Sequence, residues 1–132
     1  MKPIRVVLVE DNDVFREALE LLLGLSPHVE VVGSAAEGAA AVTLCRRLDP
    51  DVLLIDYRLP GDDGIQVTSA VRRECPKVAV VCLTASVNER EIEALFTAGA
   101  VDCVKKDQPL DTLVAAIRRA VPGGVTARAV GE

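Results

Sequence analysis

The stretch "VLLIDYRLPGDDGI" (Val52–Ile65) decides the fold, because a wholly apolar run ends on a carboxylate and is followed at once by turn-forming residues. The run "VLLI" carries no polar side chain, which is typical of a strand covered on both faces of a sheet. Pro60 and the two glycines after it prevent the strand from continuing. The stretch therefore predicts a buried central strand that ends with Asp56 at the edge of a sheet.

Four more apolar runs predict the other strands of this sheet. They are "IRVVLV" (Ile4–Val9), "VEVV" (Val29–Val32), "VAVVCL" (Val78–Leu83) and "VDCV" (Val101–Val104). Each of the five strands is followed by a segment of helical periodicity, with short connections between them. This alternation predicts an α/β protein with a doubly wound, five-stranded parallel sheet, (βα)5, and helices on both faces.

The helices are predicted from apolar residues that recur at helical spacing. Their core faces are Phe15, Ala18, Leu19 and Leu22; Ala41, Leu44, Cys45 and Leu48; Val67 and Val71; Ile92, Leu95, Phe96 and Gly99; and Leu110, Leu113, Val114 and Ile117. Two helix starts carry capping signals. Asp13 is expected to cap the first helix, and Ser86 with Glu89 is expected to form a capping box before the fourth.

Composition restricts the class of protein. The chain has 132 residues, enough for one domain, and its core must be aliphatic because half of the residues are apolar but only 2% are aromatic. The net charge of −5 argues against direct binding to nucleic acid. No apolar stretch reaches the length of a membrane span, and the N-terminus does not resemble a signal peptide. We therefore expect a cytoplasmic protein that contacts neither membrane nor nucleic acid.

The four cysteines are Cys45, Cys75, Cys82 and Cys103, and their spacings do not match those of metal sites. We expect reduced thiols, most of them buried, which agrees with the cytoplasm. The last eleven residues, 122–132, show no helical or strand pattern. We predict a folded domain over residues 1–121, followed by a flexible tail or the start of a linker.

Polar side chains follow four of the predicted strands where each strand ends. These side chains are Glu10 and Asp11 after the first strand, Asp56 after the third, Thr84 after the fourth, and Lys105 and Lys106 after the fifth. The carboxyl ends of parallel strands meet at one edge of the sheet, where ligands bind in doubly wound folds. We therefore expect these side chains to line one crevice.

The residue types in this crevice suit phosphoryl chemistry. Three neighbouring carboxylates repel each other, and Mg²⁺, which prefers oxygen ligands, would offset that repulsion. A Thr hydroxyl and a Lys ammonium can bind phosphoryl oxygens, and a carboxylate can act as the nucleophile that forms an aspartyl phosphate. The alternative is that each acid only caps the helix that follows it, but that alternative does not explain the whole set.

Four motifs, in order, resemble the receiver domain of two-component response regulators. They are "VLVEDN", "LLIDYRLPGDDG", "LTA" at Leu83–Ala85 and "AGAVDCVKKDQP", and the likeness spans residues 4–121. The resemblance implies a flavodoxin-like strand order of 2-1-3-4-5. It also implies that Asp56 accepts a phosphoryl group from a sensor histidine kinase.

The resemblance assigns the other site residues as well. Glu10 and Asp11 would bind Mg²⁺ together with Asp56 and the backbone carbonyl of Arg58, and Thr84 would bind a phosphoryl oxygen. Gly-Ala stands seven and six places before the family's lysine, and this spacing selects Lys106. Alternation along a strand agrees that only one of the two lysines can face the site.

The sequence departs from the family pattern at the switch position. Thr84 and an aromatic residue three places before the lysine transmit phosphorylation in the family, and here that aromatic position is Cys103. Two interpretations stay open: a smaller residue in a somewhat different interface, or a loss of switching through this face. A second departure is Asp107, where many relatives have Pro. "KD" resembles receivers that precede helix-turn-helix output domains.

The function implied is a signalling switch rather than an enzyme. Phosphorylation would change the surface of the fourth helix, fifth strand and fifth helix, which the family uses for homodimers or partners. The output would be transcription regulation through a DNA-binding domain in a longer gene product. The alternative is a stand-alone receiver that docks on other proteins.

Two other classes fit less well. An aspartyl-phosphate phosphatase usually has a second Asp two residues after the nucleophile, where this chain has Arg58. A flavodoxin-like cofactor binder would need a phosphate-binding loop after the first strand and aromatic residues around the flavin. This chain has acids in that loop and only three aromatic residues, Phe15, Tyr57 and Phe96.

Overall fold

A computed structural model describes residues 2–59, 63–85 and 88–122. Five parallel strands form one sheet in the order β2-β1-β3-β4-β5, with helices on both faces, as predicted. The strands are β1 (Ile4–Val9), β2 (Val29–Ala35), β3 (Val52–Asp56), β4 (Ala79–Thr84) and β5 (Asp102–Lys105). The helices are α1 (Asp13–Gly24), α2 (Ala41–Leu48), α3 (Gly64–Glu74), α4 (Glu89–Ala98) and α5 (Leu110–Arg119), with a short 3₁₀ turn at Gly38–Ala40.

The sheet separates two aliphatic layers. Alternate strand residues, such as Leu53 and Ile55, pack against α2, α3 and α4, whereas Leu54 and its neighbours pack against α1 and α5. Every residue of β3 is buried. A strand with both faces covered explains why its sequence is apolar throughout, and it makes β3 the rigid centre of the fold.

The strand register brings the carboxyl ends together. Val9 pairs with Ile55, and Asp56 pairs with Leu83, so β1, β3 and β4 end at nearly the same level. Thr84 pairs with Lys105 at the end of β5. The residues that follow these strands are therefore placed along one edge of the sheet.

Both predicted caps were wrong. The N-cap of α1 is Asn12, whose side chain accepts a 2.8 Å hydrogen bond from the Phe15 amide, and Asp13 is the first helical residue. The N-cap of α4 is Asn88, whose Oδ1 accepts from the amides of Arg90 and Glu91. Ser86 lies outside the described residues. Asn offers the same acceptor as Asp or Ser, so the choice among neighbouring residues depends on the path of the incoming loop.

The predicted core face of α1 was partly wrong. Ala18 and Leu22 are exposed, whereas Leu19 and Leu23 are buried. The run of leucines at 21–23 satisfies more than one helical phase, so periodicity alone could not select the buried face. Packing of α1 against the sheet decided it.

Some of the residues named in the sequence predictions lie at or beyond the ends of the described segments. Pro60, Gly61, Asp62 and the tail from Gly123 lie outside the described residues. Asp63 caps α3 by accepting a 2.9 Å hydrogen bond from the Gln66 amide. Among the described residues, no helix has the length and apolar character needed to cross a membrane.

Candidate functional site

Three carboxylates meet at the carboxyl edge of the sheet. Glu10 and Asp11 follow β1, Asp56 ends β3, and one oxygen from each lies within 4.8 Å of the other two. Glu10 is fully buried and Asp56 is 4% exposed, whereas Asp11 is exposed. The acidic cluster therefore opens to solvent on the side of Asp11.

Lys106 is the cation that faces this cluster. Its ammonium nitrogen lies 2.7 Å from Glu10 Oε1 and 3.1 Å from Asp56 Oδ2. The Lys106 amide donates to the Thr84 carbonyl at 2.8 Å, which continues the pairing of β4 with β5 beyond the end of β5. This backbone bond sets the direction of the lysine and so brings its charge to the carboxylates.

The two oxygens of the Glu10 carboxylate have different environments. Oε2 accepts a 2.9 Å hydrogen bond from the Asn12 amide. Oε1 is buried and, within the described part of the chain, lacks a hydrogen bond of good geometry, so its contact with Lys106 is best treated as an ion pair. A buried oxygen that is only partly satisfied is suited to a cation.

Burial and charge shift the pKa values of this pair. Burial raises the pKa of Glu10 and the Asp56 charge adds to the effect, while Lys106 and the Asn12 amide oppose it. Burial alone would lower the pKa of Lys106, but the close contacts and charge interactions of its ammonium with Glu10 and Asp56 outweigh that effect, and its pKa is raised. Lys106 therefore stays charged at neutral pH.

The turn after Asp56 is held by backbone hydrogen bonds. The Tyr57 amide donates to the Leu83 carbonyl at 2.8 Å, and the Gly64 amide donates to the Tyr57 carbonyl at 2.7 Å. The Arg58 amide donates to Asp56 Oδ1 at 3.2 Å. A Cβ on Gly64 would lie 2.9 Å from the Tyr57 Cα, so this close return of the chain requires glycine.

Comparison with known proteins identifies the family. The family model for the response regulator receiver domain matches residues 6–118. The chain belongs to the response regulator receiver family.

Relatives of this receiver domain include whole response regulators. It is 36% identical over 121 residues to the nitrate/nitrite response regulator protein NarP of Escherichia coli (strain K12). The aligned region covers 92% of this chain and 56% of the relative. It is 33% identical to the transcriptional regulatory protein LiaR of Bacillus subtilis, over 91% of this chain and 57% of the relative. The chain thus spans about half the length of the curated relatives it matches.

Solved structures agree with the fold. The signal receiver domain of the response regulator NarL from Mycobacterium tuberculosis is 38% identical, with a TM-score of 0.84 over 89% of this chain and 94% of that chain. A LuxR-family two-component response regulator from Aurantimonas sp. SI85-9A1 is 31% identical, with a TM-score of 0.83 over 87% of this chain and 82% of that chain. The flavodoxin-like strand order implied by the family resemblance is confirmed.

The receiver brings most of the predicted site residues together. Thr84 ends β4 beside Asp56 and is nearly buried, and Arg58 lies in the turn that follows Asp56. Lys105 forms a 3.7 Å ion pair with Asp107, apart from the acidic cluster. The structure thus separates the two lysines in the way that alternation along a strand predicts. The roles assigned to these residues stay predictions.

Cys103 lies within β5, two residues before the carboxyl end of that strand. It is half-buried, it pairs with Cys82 across β5 and β4, and it packs against the layer that contains α2, α3 and α4. All four cysteines are free, and two of them, Cys45 and Cys82, are buried. Cys103 therefore packs against the helices rather than facing the carboxylates, and its role as a switch residue stays a prediction.

Two contacts around the site were missed by sequence reasoning. The Lys106 ammonium lies 4.8 Å from the centroid of the Phe15 ring, a residue that helical spacing predicts only for the core face of α1. Glu91, near the start of α4, forms a 3.6 Å ion pair with Arg58 in the turn that follows Asp56. Neither contact leaves a local pattern in the sequence, because each joins segments that are distant along the chain.

Proposed function

We propose that the chain is a phosphorylation-dependent switch in which Asp56 accepts a phosphoryl group from a sensor histidine kinase. The observation that carries the proposal is the position of Asp56. Its carboxylate is nearly buried at the centre of the sheet edge, 3.1 Å from the Lys106 ammonium and beside two more acids. A carboxylate in these surroundings can act as a nucleophile, because the neighbouring Lys106 ammonium can bind the incoming phosphoryl group.

The donor set fits Mg²⁺. Glu10, Asp11 and Asp56 place three carboxylates within reach of one ion, and the buried Oε1 of Glu10 is an oxygen that a cation would satisfy. We propose that these three side chains and the backbone carbonyl of Arg58 hold the ion. When bound, Mg²⁺ offsets the charge of the phosphoryl oxygens.

In the transfer step, an Asp56 carboxylate oxygen attacks the phosphorus of a phosphohistidine. The new P–O bond forms as the P–N bond breaks, and the electron pair of that bond returns to the imidazole nitrogen. We expect Lys106, which contacts Asp56, to pair with one phosphoryl oxygen, and Thr84 at the end of β4 to donate to another. These two contacts exist only after transfer, so they favour the phosphorylated conformation.

The phosphoryl group adds about −1.5 to −2 units of charge at Asp56. We propose that Thr84 and Cys103 pass this change to the face made by α4, β5 and α5, and that this face forms homodimers or binds partners. Receiver domains of transcription regulators are generally not enzymes. The curated relatives are named as response or transcriptional regulators, so we propose that the cytoplasmic full-length protein regulates transcription through a DNA-binding domain outside this chain.

The test is phosphorylation of the purified chain by acetyl phosphate with Mg²⁺, followed by intact mass. We expect the wild-type chain to gain one phosphoryl group and Asp56→Asn to gain none. Asp13→Asn is the matched control, because Asp13 lies at the same edge of the sheet but is exposed and pairs with Arg16. An unchanged wild-type mass, or an equal gain in Asp56→Asn, would refute the assignment.

A further inference from the structure

Two of the four cysteines lie at the edge of the sheet opposite the acidic cluster. Cys45 is in the last turn of α2, and Cys75 directly follows α3. Both line one groove of about 260 Å³ near the amino ends of β3 and β4. The groove has room for more than one water molecule, because one needs only about 10–15 Å³. A small solute can therefore enter it.

Three observations place the two thiols close together. Both side chains pack against the same apolar cluster, on the side of the sheet that carries α2, α3 and α4. Their neighbours in the chain, Arg46 and Glu74, form an ion pair that joins the two helices. Burial raises the pKa of Cys45 to about 12, and the charge of the nearby Cys75 thiolate adds to the effect. The two sulfur atoms are thus within range of each other's charge.

The two thiols differ in their access to solvent. Cys45 is only 2% exposed, whereas Cys75 is partly exposed. Cys75 also lies outside regular secondary structure, between the last turn of α3 and Pro76. Because a disulfide has strict geometry, it forms more easily where one partner can move without breaking a helix or a strand pair. Cys75 is therefore the thiol that an oxidant meets first, and Cys45 is its buried partner.

The other two cysteines are less suited to a disulfide. Cys82 and Cys103 lie opposite each other on β4 and β5, and Cys82 is fully buried. Neighbouring strands are about 4.7–4.9 Å apart, whereas the Cβ atoms of a disulfide are about 3.5–4.5 Å apart. A bond between these residues would have to pull two paired strands together, so we expect them to stay reduced.

We propose that Cys45 and Cys75 form a reversible oxidation site, in which a hydroperoxide converts the two thiols to a disulfide that joins α2 to the end of α3. The Cys75 sulfur attacks the outer peroxide oxygen, and the O–O bond breaks. This step gives a sulfenic acid and releases water or an alcohol, which carries away the thiol proton. The Cys45 sulfur then attacks the Cys75 sulfur. The S–S bond forms as the S–O bond breaks, and the hydroxyl group leaves as water with the Cys45 proton.

The disulfide closes a loop that contains Asp56. The chain between the two cysteines includes β3, the turn after it and α3. A cross-link over this length restricts the unfolded chain and so favours the folded one. We expect the oxidised protein to unfold in urea at a midpoint roughly 1–2 M above that of the reduced protein. The oxidation needs neither Mg²⁺ nor a phosphoryl group, so it stands apart from the proposed function.

The test is treatment of the reduced wild-type chain with hydrogen peroxide at low protein concentration. The protein is then denatured in the presence of iodoacetamide, and peptide mass mapping locates any disulfide. We expect one disulfide within the chain, between Cys45 and Cys75, which dithiothreitol reverses. The absence of a disulfide, a bond between two chains, or a bond between other cysteines would overturn the proposal.

Three variants sharpen the test. Cys75→Ser should form no disulfide, and Cys45→Ala should stop at a sulfenic acid on Cys75 that dimedone traps. Cys103→Ser is the matched control, because Cys103 is also partly exposed and packs against the same apolar cluster. It should form the disulfide as the wild type does.

Each variant can also contradict the assignment. A disulfide in Cys75→Ser, its loss in Cys103→Ser, or no trapped sulfenic acid in Cys45→Ala would show that Cys75 and Cys45 do not react in this order. An oxidised wild-type chain whose urea midpoint does not rise would refute the stabilisation of the loop that contains Asp56.

Discussion

The ammonium nitrogen of Lys106 lies 3.1 Å from Asp56 Oδ2, although 50 residues separate the two along the chain. The same nitrogen lies 2.7 Å from Glu10 Oε1, so one cation serves two carboxylates that are almost fully buried. Removing a partner from a buried ion pair leaves a charge without compensation. The lysine should therefore matter for stability as well as for the reaction.

We predict that Lys106→Met lowers the free energy of unfolding by ~1–3 kcal/mol at neutral pH without added metal, because Glu10 and Asp56 then repel each other in a buried site. Urea denaturation measures this loss. Lys105→Met is the matched control, since its pair with Asp107 is at the surface and should contribute less than ~1 kcal/mol. If the two variants lost equal amounts of unfolding free energy, the contact of Lys106 with buried carboxylates would not matter more for stability than the surface pair of Lys105.

Mg²⁺ should stabilise the folded chain. The unfolded chain does not assemble the three carboxylates, so an ion that binds only the folded state raises the free energy of unfolding. The increase is ~2.7 kcal/mol when the free Mg²⁺ concentration is one hundred times the dissociation constant. Thermal melts with and without Mg²⁺ measure the effect. We expect Asp11→Asn to lose most of it and Asp13→Asn to keep it. A melting temperature independent of Mg²⁺ would argue against a metal site.

Gly64 should tolerate no side chain. A Cβ at this position would lie 2.9 Å from the Tyr57 Cα and 3.2 Å from its carbonyl oxygen, and backbone atoms cannot move aside cheaply. We predict that Gly64→Ala costs ~1–3 kcal/mol of unfolding free energy and slows phosphorylation of Asp56, because the turn must shift.

The control for this variant is Gly24→Ala at the end of α1. A Cβ on Gly24 meets nothing within 4 Å, so alanine there should be neutral or stabilise by ~0.4–1 kcal/mol. Chemical denaturation compares the two proteins directly. A Gly64→Ala variant as stable as the wild type would show that the turn is more adaptable than its geometry indicates.

The buried thiols should react slowly. Burial raises the pKa of both Cys45 and Cys82 to about 12, so the thiolate is scarce at neutral pH. With iodoacetamide we expect native Cys45 and Cys82 to be modified far more slowly than the partly exposed Cys75, and each rate to rise about tenfold per pH unit below the pKa. Peptide mass mapping gives each rate. Rapid native modification of Cys82 would contradict its burial.

Much of the fold could be predicted from local patterns. Apolar runs that end on polar residues, as at "VLLIDYR", predict the five strands and the acidic residues at their carboxyl ends. The alternation of these runs with helical patterns predicts a parallel sheet. These signals are local because a strand buried on both faces must be apolar at every position. The boundaries differed by a few residues, most at β2, which continues to Ala35.

Tertiary structure alone decided the contacts between distant segments. The sequence by itself determined which residues end each strand, and so which side chains reach the edge where Asp56 lies. It could not determine that α1 buries Leu23 rather than Leu22, that Asn88 caps α4, or that Glu91 pairs with Arg58. Periodicity and capping preference allow several phases and partners, and the packing of one element against another selects among them.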